Sequence, residues 1–209
     1  MGIDLTRNFA HPYAARSFAE FWRRWHISLS SWFKDYVYVG LGGNRFGKTR
    51  TYVNLWITML VSGLWHGAAW TFVVWGAWHA ALLTIERLTS WPDRLERFGA
   101  PGRAVSTAVV FLLVVMSWVP FRAESLSQAL VIWGHMLSLE SLVEIPVFTG
   151  KELLLRTAVI FFVAIAMMIS WWPFDLKRHR LAAPLFYGII ITAVVYFRGP
   201  GGAFIYFQF

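Results

Sequence analysis

The chain of 209 residues carries six histidines and no cysteine. Thiol nucleophiles, disulfides and Cys-ligated zinc are therefore excluded, and the imidazoles become the first candidates for chemistry near neutral pH. His66 is the foremost of them. It lies inside residues 51–85, a run of 35 residues without Lys, Arg, Asp or Glu, in the stretch Ser62-Gly63-Leu64-Trp65-His66-Gly67. An ionisable side chain in such a run is costly unless it faces a partner or a wet cavity, so its default reading is functional. Ser62, four residues earlier, is placed to orient the ring if the segment is helical. Gly63 and Gly67 would let a substrate or another backbone come close. His79, near Trp75 and Trp78, reads instead as a packed structural histidine. His26 falls on the apolar side of a helical pattern, and its plain reading is a packed, hydrogen-bonded ring. His11, His135 and His179 lie in or beside polar stretches. No H-E-x-x-H or comparable ligand spacing occurs, so no metal site is expected.

A second chemical motif is Gly42-Gly43-Asn44-Arg45-Phe46-Gly47-Lys48-Thr49, which satisfies the G-x-x-x-x-G-K-[ST] spacing of a phosphate-binding loop. Residues 36–39 before it would pass for a strand. The context refuses nucleotide hydrolysis, because such a loop needs a helix packed on a parallel sheet and no further α/β units follow. The stretch reads as a glycine-rich cytoplasmic turn whose Arg45, Lys48 and Arg50 anchor the positive side of a membrane protein. Exposed amides and cations there would also suit a phosphate-bearing acyl donor.

The elements that must position these residues are apolar helices. The chain is 57% hydrophobic and only 14% charged, with 13 Trp, against about 25% charged residues in soluble domains. Residues 104–121, 157–174 and 181–197 are uncharged runs close to the roughly 20 residues that span a bilayer. Residues 51–85 would extend about 52 Å as one helix, well beyond a hydrocarbon core of roughly 30 Å, so a helical hairpin breaking near Gly63 and Gly67 is expected. Lys and Arg placement agrees. With a hairpin, residues 1–50, 86–103 and 175–180 hold 15 of the 19 cations on the cytoplasmic side, leaving Arg122, Lys151, Arg156 and Arg198 outside. The net charge of +8 is thus a topology signal, and no nucleic-acid partner is expected.

Residues 1–50 read as an amphipathic, interfacial cytoplasmic segment. Phe18, Trp22, Trp25, Leu29, Trp32, Phe33 and Tyr36 recur at helical steps, with Arg16, Glu20 and Arg24 four apart on the other face. An aromatic face opposite a charged one suits the membrane interface.

Several of these stretches together resemble one family. Phe21-Trp22-Arg23-Arg24-Trp25-His26-Ile27-Ser28-Leu29-Ser30, Gly42-Gly43-Asn44-Arg45, Gly63-Leu64-Trp65-His66-Gly67, Pro120-Phe121-Arg122-Ala123 and the ending Phe204-Ile205-Tyr206-Phe207-Gln208-Phe209 are similar to the membrane-bound O-acyltransferase (MBOAT) family, in its bacterial alginate O-acetylation branch. The match is specific over roughly residues 8–125 and at the extreme C-terminus. Members carry several more spans before the first of these motifs, so the chain looks like a carboxy-terminal half. The resemblance implies an all-α polytopic helical membrane protein, a partial MBOAT fold forming a single membrane domain over 1–209, with the broken hairpin carrying His66. It implies transfer of an acyl group, acetyl by the branch, from a cytoplasmic acyl thioester to hydroxyls of an extracytoplasmic polysaccharide such as alginate. No bound cofactor is expected, since the thioester is a substrate. The implied partners are the lipid membrane, the polysaccharide and an extracytoplasmic acetyltransferase protein, and the implied location is the bacterial inner membrane.

The family's catalytic histidine matches His66 and its second characteristic histidine matches His26; Asn44, Arg45, Lys48, Ser62 and Trp65 are the expected donor- and substrate-binding residues. A neutral imidazole can take a hydroxyl proton near neutral pH, and an acyl-histidine intermediate stays open beside that. Two rival readings are a transporter or channel with an intramembrane histidine relay and an inactive fragment.

Overall fold

The uncharged run is too long for one straight span, and it breaks where its glycines cluster. The computed structural model describes residues 6–138, which form helices and turns with no strand among them. They belong to a compact unit, Met1–Val147. Two helices of 20 residues, α3 (Gly47–His66) and α4 (Trp70–Thr89), are joined through Gly67, Ala68 and Ala69. They pack antiparallel: Gly63 faces the backbone of Phe72 and Gly76, and Trp56 Nε1 donates to Thr84 Oγ1 at 3.1 Å. The expected hairpin is thus present as a helix pair, beginning four residues earlier than the uncharged run because Gly47, Lys48 and Thr49 already belong to the first turn of α3.

After a short helix α5 (Trp91–Glu96), α6 (Gly99–Arg122) covers the expected 104–121 segment. With 24 residues it is the one helix among the described residues long and apolar enough to cross a membrane. Its buried residues Gly102, Ser106, Val110, Val114 and Ser117 recur at helical steps; Gly102 faces Leu95 of α5, Val110 and Val114 pack with α4 and the amino-terminal segment, and Ser117 meets His79 of α4. A last described helix, α7 (Leu126–Leu137), starts at Ser125, whose hydroxyl accepts from Gln128 N. The expected spans 157–174 and 181–197 lie outside the described residues.

The amino-terminal segment departs from the expected continuous amphipathic pattern. It is cut into a 3₁₀ turn (Pro12–Ala14), α1 (Phe18–Arg24), α2 (Ile27–Trp32) and a π-helical stretch (Phe33–Tyr38). The break falls at His26, whose φ is +42°. Asn8 makes it: its carbonyl accepts from Ile27 N at 2.9 Å and its Oδ1 accepts from Ser28 N at 3.0 Å, satisfying amide donors that the first turn of α2 would otherwise leave free. Ser17 caps α1 by accepting from Glu20 N at 3.0 Å, and Glu20 accepts from Arg16 N at 2.7 Å, a variant of the capping box.

The aromatic face of α1 packs into the interior of the unit. Ala15, Phe18 and Phe21 are buried with Leu82 of α4 and Val110 and Val114 of α6 as the core of the unit. Glu86 of α4 accepts from the backbone N–H groups of Phe18 and Ala19, fastening the start of α1 to the end of α4. From there the segment follows the hairpin along its length. Phe21 stacks on His79 and Trp22 meets Trp75; on the return, Phe33 meets Trp65 and Asn54 Nδ2 holds Gly43 O at 2.9 Å. Trp32 and Tyr36 alone of the aromatic series are largely exposed.

Candidate active site around His66

His66 ends α3, half-buried. Aromatic rings from three helices enclose its imidazole: Trp65 at 4.9 Å, Phe72 at 6.1 Å, Trp75 at 5.2 Å and Phe121 at 4.8 Å between centroids. Phe121 reaches it from the last turn of α6, next to Pro120. Phe72, Trp75 and Trp118 pack in turn on Phe121, so the walls brace one another. Among the described residues no hydrogen bond reaches the His66 ring. Ser62 is buried one turn back and does not orient it; ring packing does.

At the break between α1 and α2, His26 has its ring 6.1 Å from Phe9 and its Nδ1 buried with no hydrogen-bond partner among the described residues. The expectation of a hydrogen-bonded ring therefore fails at Nδ1. His79 contrasts with both. It is 1% exposed, stacked on Phe21, and its Nε2 lies 3.1 Å from Ser117 Oγ of α6, which is the packed structural role expected of it.

The glycine-rich stretch is a turn, and the phosphate-loop context is absent: residues 33–38 before it are π-helical rather than a strand. Gly42 and Gly43 take φ of +103° and +56°, which only glycine adopts freely, and the Tyr38 hydroxyl donates to Asn44 Oδ1. Arg45 and Lys48 are exposed, with no ion pair among the described residues. The expected site residues thus fall into two groups. Ser62, Trp65 and His66 gather at one end of α3, whereas Asn44, Arg45 and Lys48 lie at the other, and His26 lies at the break between α1 and α2. Eighteen residues separate Lys48 from His66 on one helix, a span of about 27 Å. Trp65, half-exposed beside His66, is the expected binding residue best placed to touch a group brought to the imidazole.

Three contributors went unremarked in the residue pattern. Trp75 and Phe121 wall the ring, and Phe121 was marked only by the Pro120-Phe121-Arg122 motif. Asn8 sets the break at His26, and no local spacing announces it.

Aromatic rings from three helices, one of them long and apolar enough to cross a membrane, brace His66 into a candidate reaction centre among the described residues. The family model for the membrane-bound O-acyltransferase family matches residues 2–121, and the chain belongs to that family. It is 49% identical over 138 residues to a probable alginate O-acetylase, AlgI, of Pseudomonas putida, covering 66% of this chain and 28% of that protein. It is 40% identical over 137 residues to the peptidoglycan O-acetyltransferase of Helicobacter pylori, covering 66% and 26%. A third similarity, 40% over 82 residues, is to the teichoic acid D-alanyltransferase of Streptococcus thermophilus, covering 36% and 20%. The chain spans about a quarter of the length of the curated relatives it matches.

Proposed function

We propose that this chain carries the reaction centre of a membrane-bound O-acyltransferase that acylates a cell-surface polysaccharide. The observation that supports it best is the state of His66: its ring is held by four aromatic walls, yet no hydrogen bond within the described residues occupies its nitrogens. A structural histidine is normally pinned through a ring nitrogen, as His79 is through Nε2. A ring held by aromatic packing, with no hydrogen bond to its nitrogens among the described residues, is arranged to exchange a proton.

In this reading His66 removes the proton of an acceptor hydroxyl as that oxygen attacks the carbonyl of an acyl thioester. The C–S bond breaks, the thiolate leaves, and the imidazolium returns the proton to it. Such a base contributes typically about 10²–10⁴-fold to the rate. His26 is the second polar group of the path. The donor's anionic part sits at the Asn44, Arg45 and Lys48 end of α3, and an arm of about 27 Å brings its thioester along the helix to Trp65 and His66.

The names of the relatives favour acetyl as the acyl group and alginate, or another wall or surface polymer, as the acceptor. A cytoplasmic donor, an extracytoplasmic partner acetyltransferase and an inner-membrane location complete the proposal. They rest on the cation distribution and on the family. The test is His66→Gln beside His66→Ala in the full-length protein, with polymer acetylation measured against the amount of protein in the membrane. Gln keeps hydrogen bonding but is no base, so both variants should lose acetylation while inserting normally. Near-normal acetylation by a well-inserted His66→Gln variant would remove His66 from the chemistry and favour a relay or scaffold role.

A further inference from the structure

One ring away from His66, the interior holds polar atoms that the acyl-transfer reading does not use. Ser117 Oγ lies 2.6 Å from the carbonyl of Val114 and donates its only proton there. Toward His79 Nε2, 3.1 Å away, the same oxygen can therefore only accept. Nε2 of His79 must carry a proton. No carboxylate reaches this fully buried ring among the described residues, and burying an unpaired charge is far costlier than burying a neutral imidazole. His79 is consequently the neutral Nε2–H tautomer, and its Nδ1 is a bare lone pair.

Among the described residues that lone pair is buried without a partner, and so are the indole N–H groups of Trp22 and Trp75. The three rings touch one another. Trp75 and Trp22 stand nearly edge-on to the imidazole, at 4.9 and 5.0 Å, and 5.9 Å apart from each other. Orphaned polar atoms are uncommon in native interiors, and three on mutually touching rings call for a shared ligand. Their inventory is one acceptor and two donors. The complementary group has one proton and two lone pairs, which is the inventory of a hydroxyl.

We propose that His79, Trp22 and Trp75 form a hydroxyl-binding site in the interior, in which Nδ1 of His79 accepts the hydroxyl proton and the two indole N–H groups donate to its oxygen. Ser117 is the positioning residue, because it selects the tautomer that exposes Nδ1 as an acceptor. The hydroxyl belongs either to an internal water or to an acceptor molecule entering past Trp75, which also touches His66.

The test is solid-state NMR of the full-length protein in lipid nanodiscs, with ¹⁵N-labelled His and Trp. The His79 proton should be on Nε2, with Nδ1 shifted as a hydrogen-bond acceptor and correlated with a hydroxyl proton. Trp22→Phe and Trp75→Phe, which keep an aromatic ring and remove an N–H, should each move the Nδ1 resonance. Ser117→Ala should mix the tautomers and Ser117→Thr should restore Nε2–H, a response that a merely structural packing role would not produce. Adding ¹³C-labelled alginate oligosaccharide identifies the source: new contacts from Nδ1 to the sugar mean an acceptor hydroxyl, and an unchanged water correlation means an internal water. A proton on Nδ1 in the wild-type protein, or a wild-type Nδ1 without any hydroxyl correlation, would overturn the proposal even if no variant folds. None of these readouts needs acyl transfer, so failure here is distinct from failure of the His66 reading.

Discussion

Replacing Gly63 with alanine tests whether the hairpin positions His66. A Cβ at Gly63 would lie 2.3 Å from the carbonyl oxygen of Phe72 and 3.1 Å from its carbon, against an ordinary contact of 3.4 Å or more. The obstacle is backbone on the facing helix, so no side chain can swing aside and α3 and α4 must separate by about 1 Å. Overpacking of this kind costs about 1–3 kcal/mol, and a backbone clash belongs at the upper end. Alanine recovers about 1 kcal/mol of helix propensity over glycine, leaving a net loss of about 2 kcal/mol. The larger effect falls on the reaction. His66 is three residues along α3, while Phe72 and Trp75, two of its walls, ride on α4. A misplacement of about 1 Å can cost on the order of 10²-fold in rate. In full-length protein, Gly63→Ala should lower the melting temperature by several degrees and cut polymer acetylation far more than it cuts the amount of inserted protein. Gly76→Ala, whose Cβ would lie 2.5 Å from Met59 O, should behave alike. Gly134→Ala is the control: nothing lies within 4 Å of its Cβ, so it should stabilise α7 slightly. A Gly63→Ala protein with unchanged melting and acetylation would refute the close helix approach and the positioning argument together.

Glu86→Ala should free the start of α1 by stranding the amides of Phe18 and Ala19, a loss of about 2 kcal/mol for hydrogen bonds to a charged group; faster hydrogen exchange over residues 18–24 checks it. Lys48→Ala should leave nucleotide hydrolysis unchanged at none, and an ATPase activity dependent on Lys48 would reopen the phosphate-loop reading. Single cysteines introduced into this cysteine-free chain should place residues 86–103 in the cytoplasm and Arg122 outside. Labelling at Asp93 by an impermeant thiol reagent in intact cells would contradict that topology.

The sequence displayed the hairpin because two independent quantities agreed: a run too long for the bilayer and a cation count favouring return to the same side. It displayed α6 for the simpler reason of length and apolarity. It was blind to the break in the amino-terminal segment, since the apolar steps run on through Trp25 and Leu29 as though the helix continued. Periodicity reports which residues share a face, and it carries no information on whether the backbone between them is interrupted. The interruption is tertiary: Asn8, 19 and 20 residues upstream of the amides it holds, outbids helical continuation. The pairing of His79 with Ser117, 38 residues apart, had no local signal at all.

The break at His26 also has a functional logic that the histidines considered singly would not reveal. A left-handed backbone conformation costs an L-residue roughly 1–2 kcal/mol, and Asn8 offsets that cost by satisfying the amides beyond it. A straight helix from Phe18 to Tyr38 would be about 30 Å long and would carry its later residues past His66. The break instead turns the chain back beside the hairpin, so that Phe33 meets Trp65 and Gly43 reaches Asn54. His26 therefore sits at the turning point of the segment. Strained backbone held by a distant side chain at a candidate reaction centre is the pattern expected where geometry, rather than stability, is being specified.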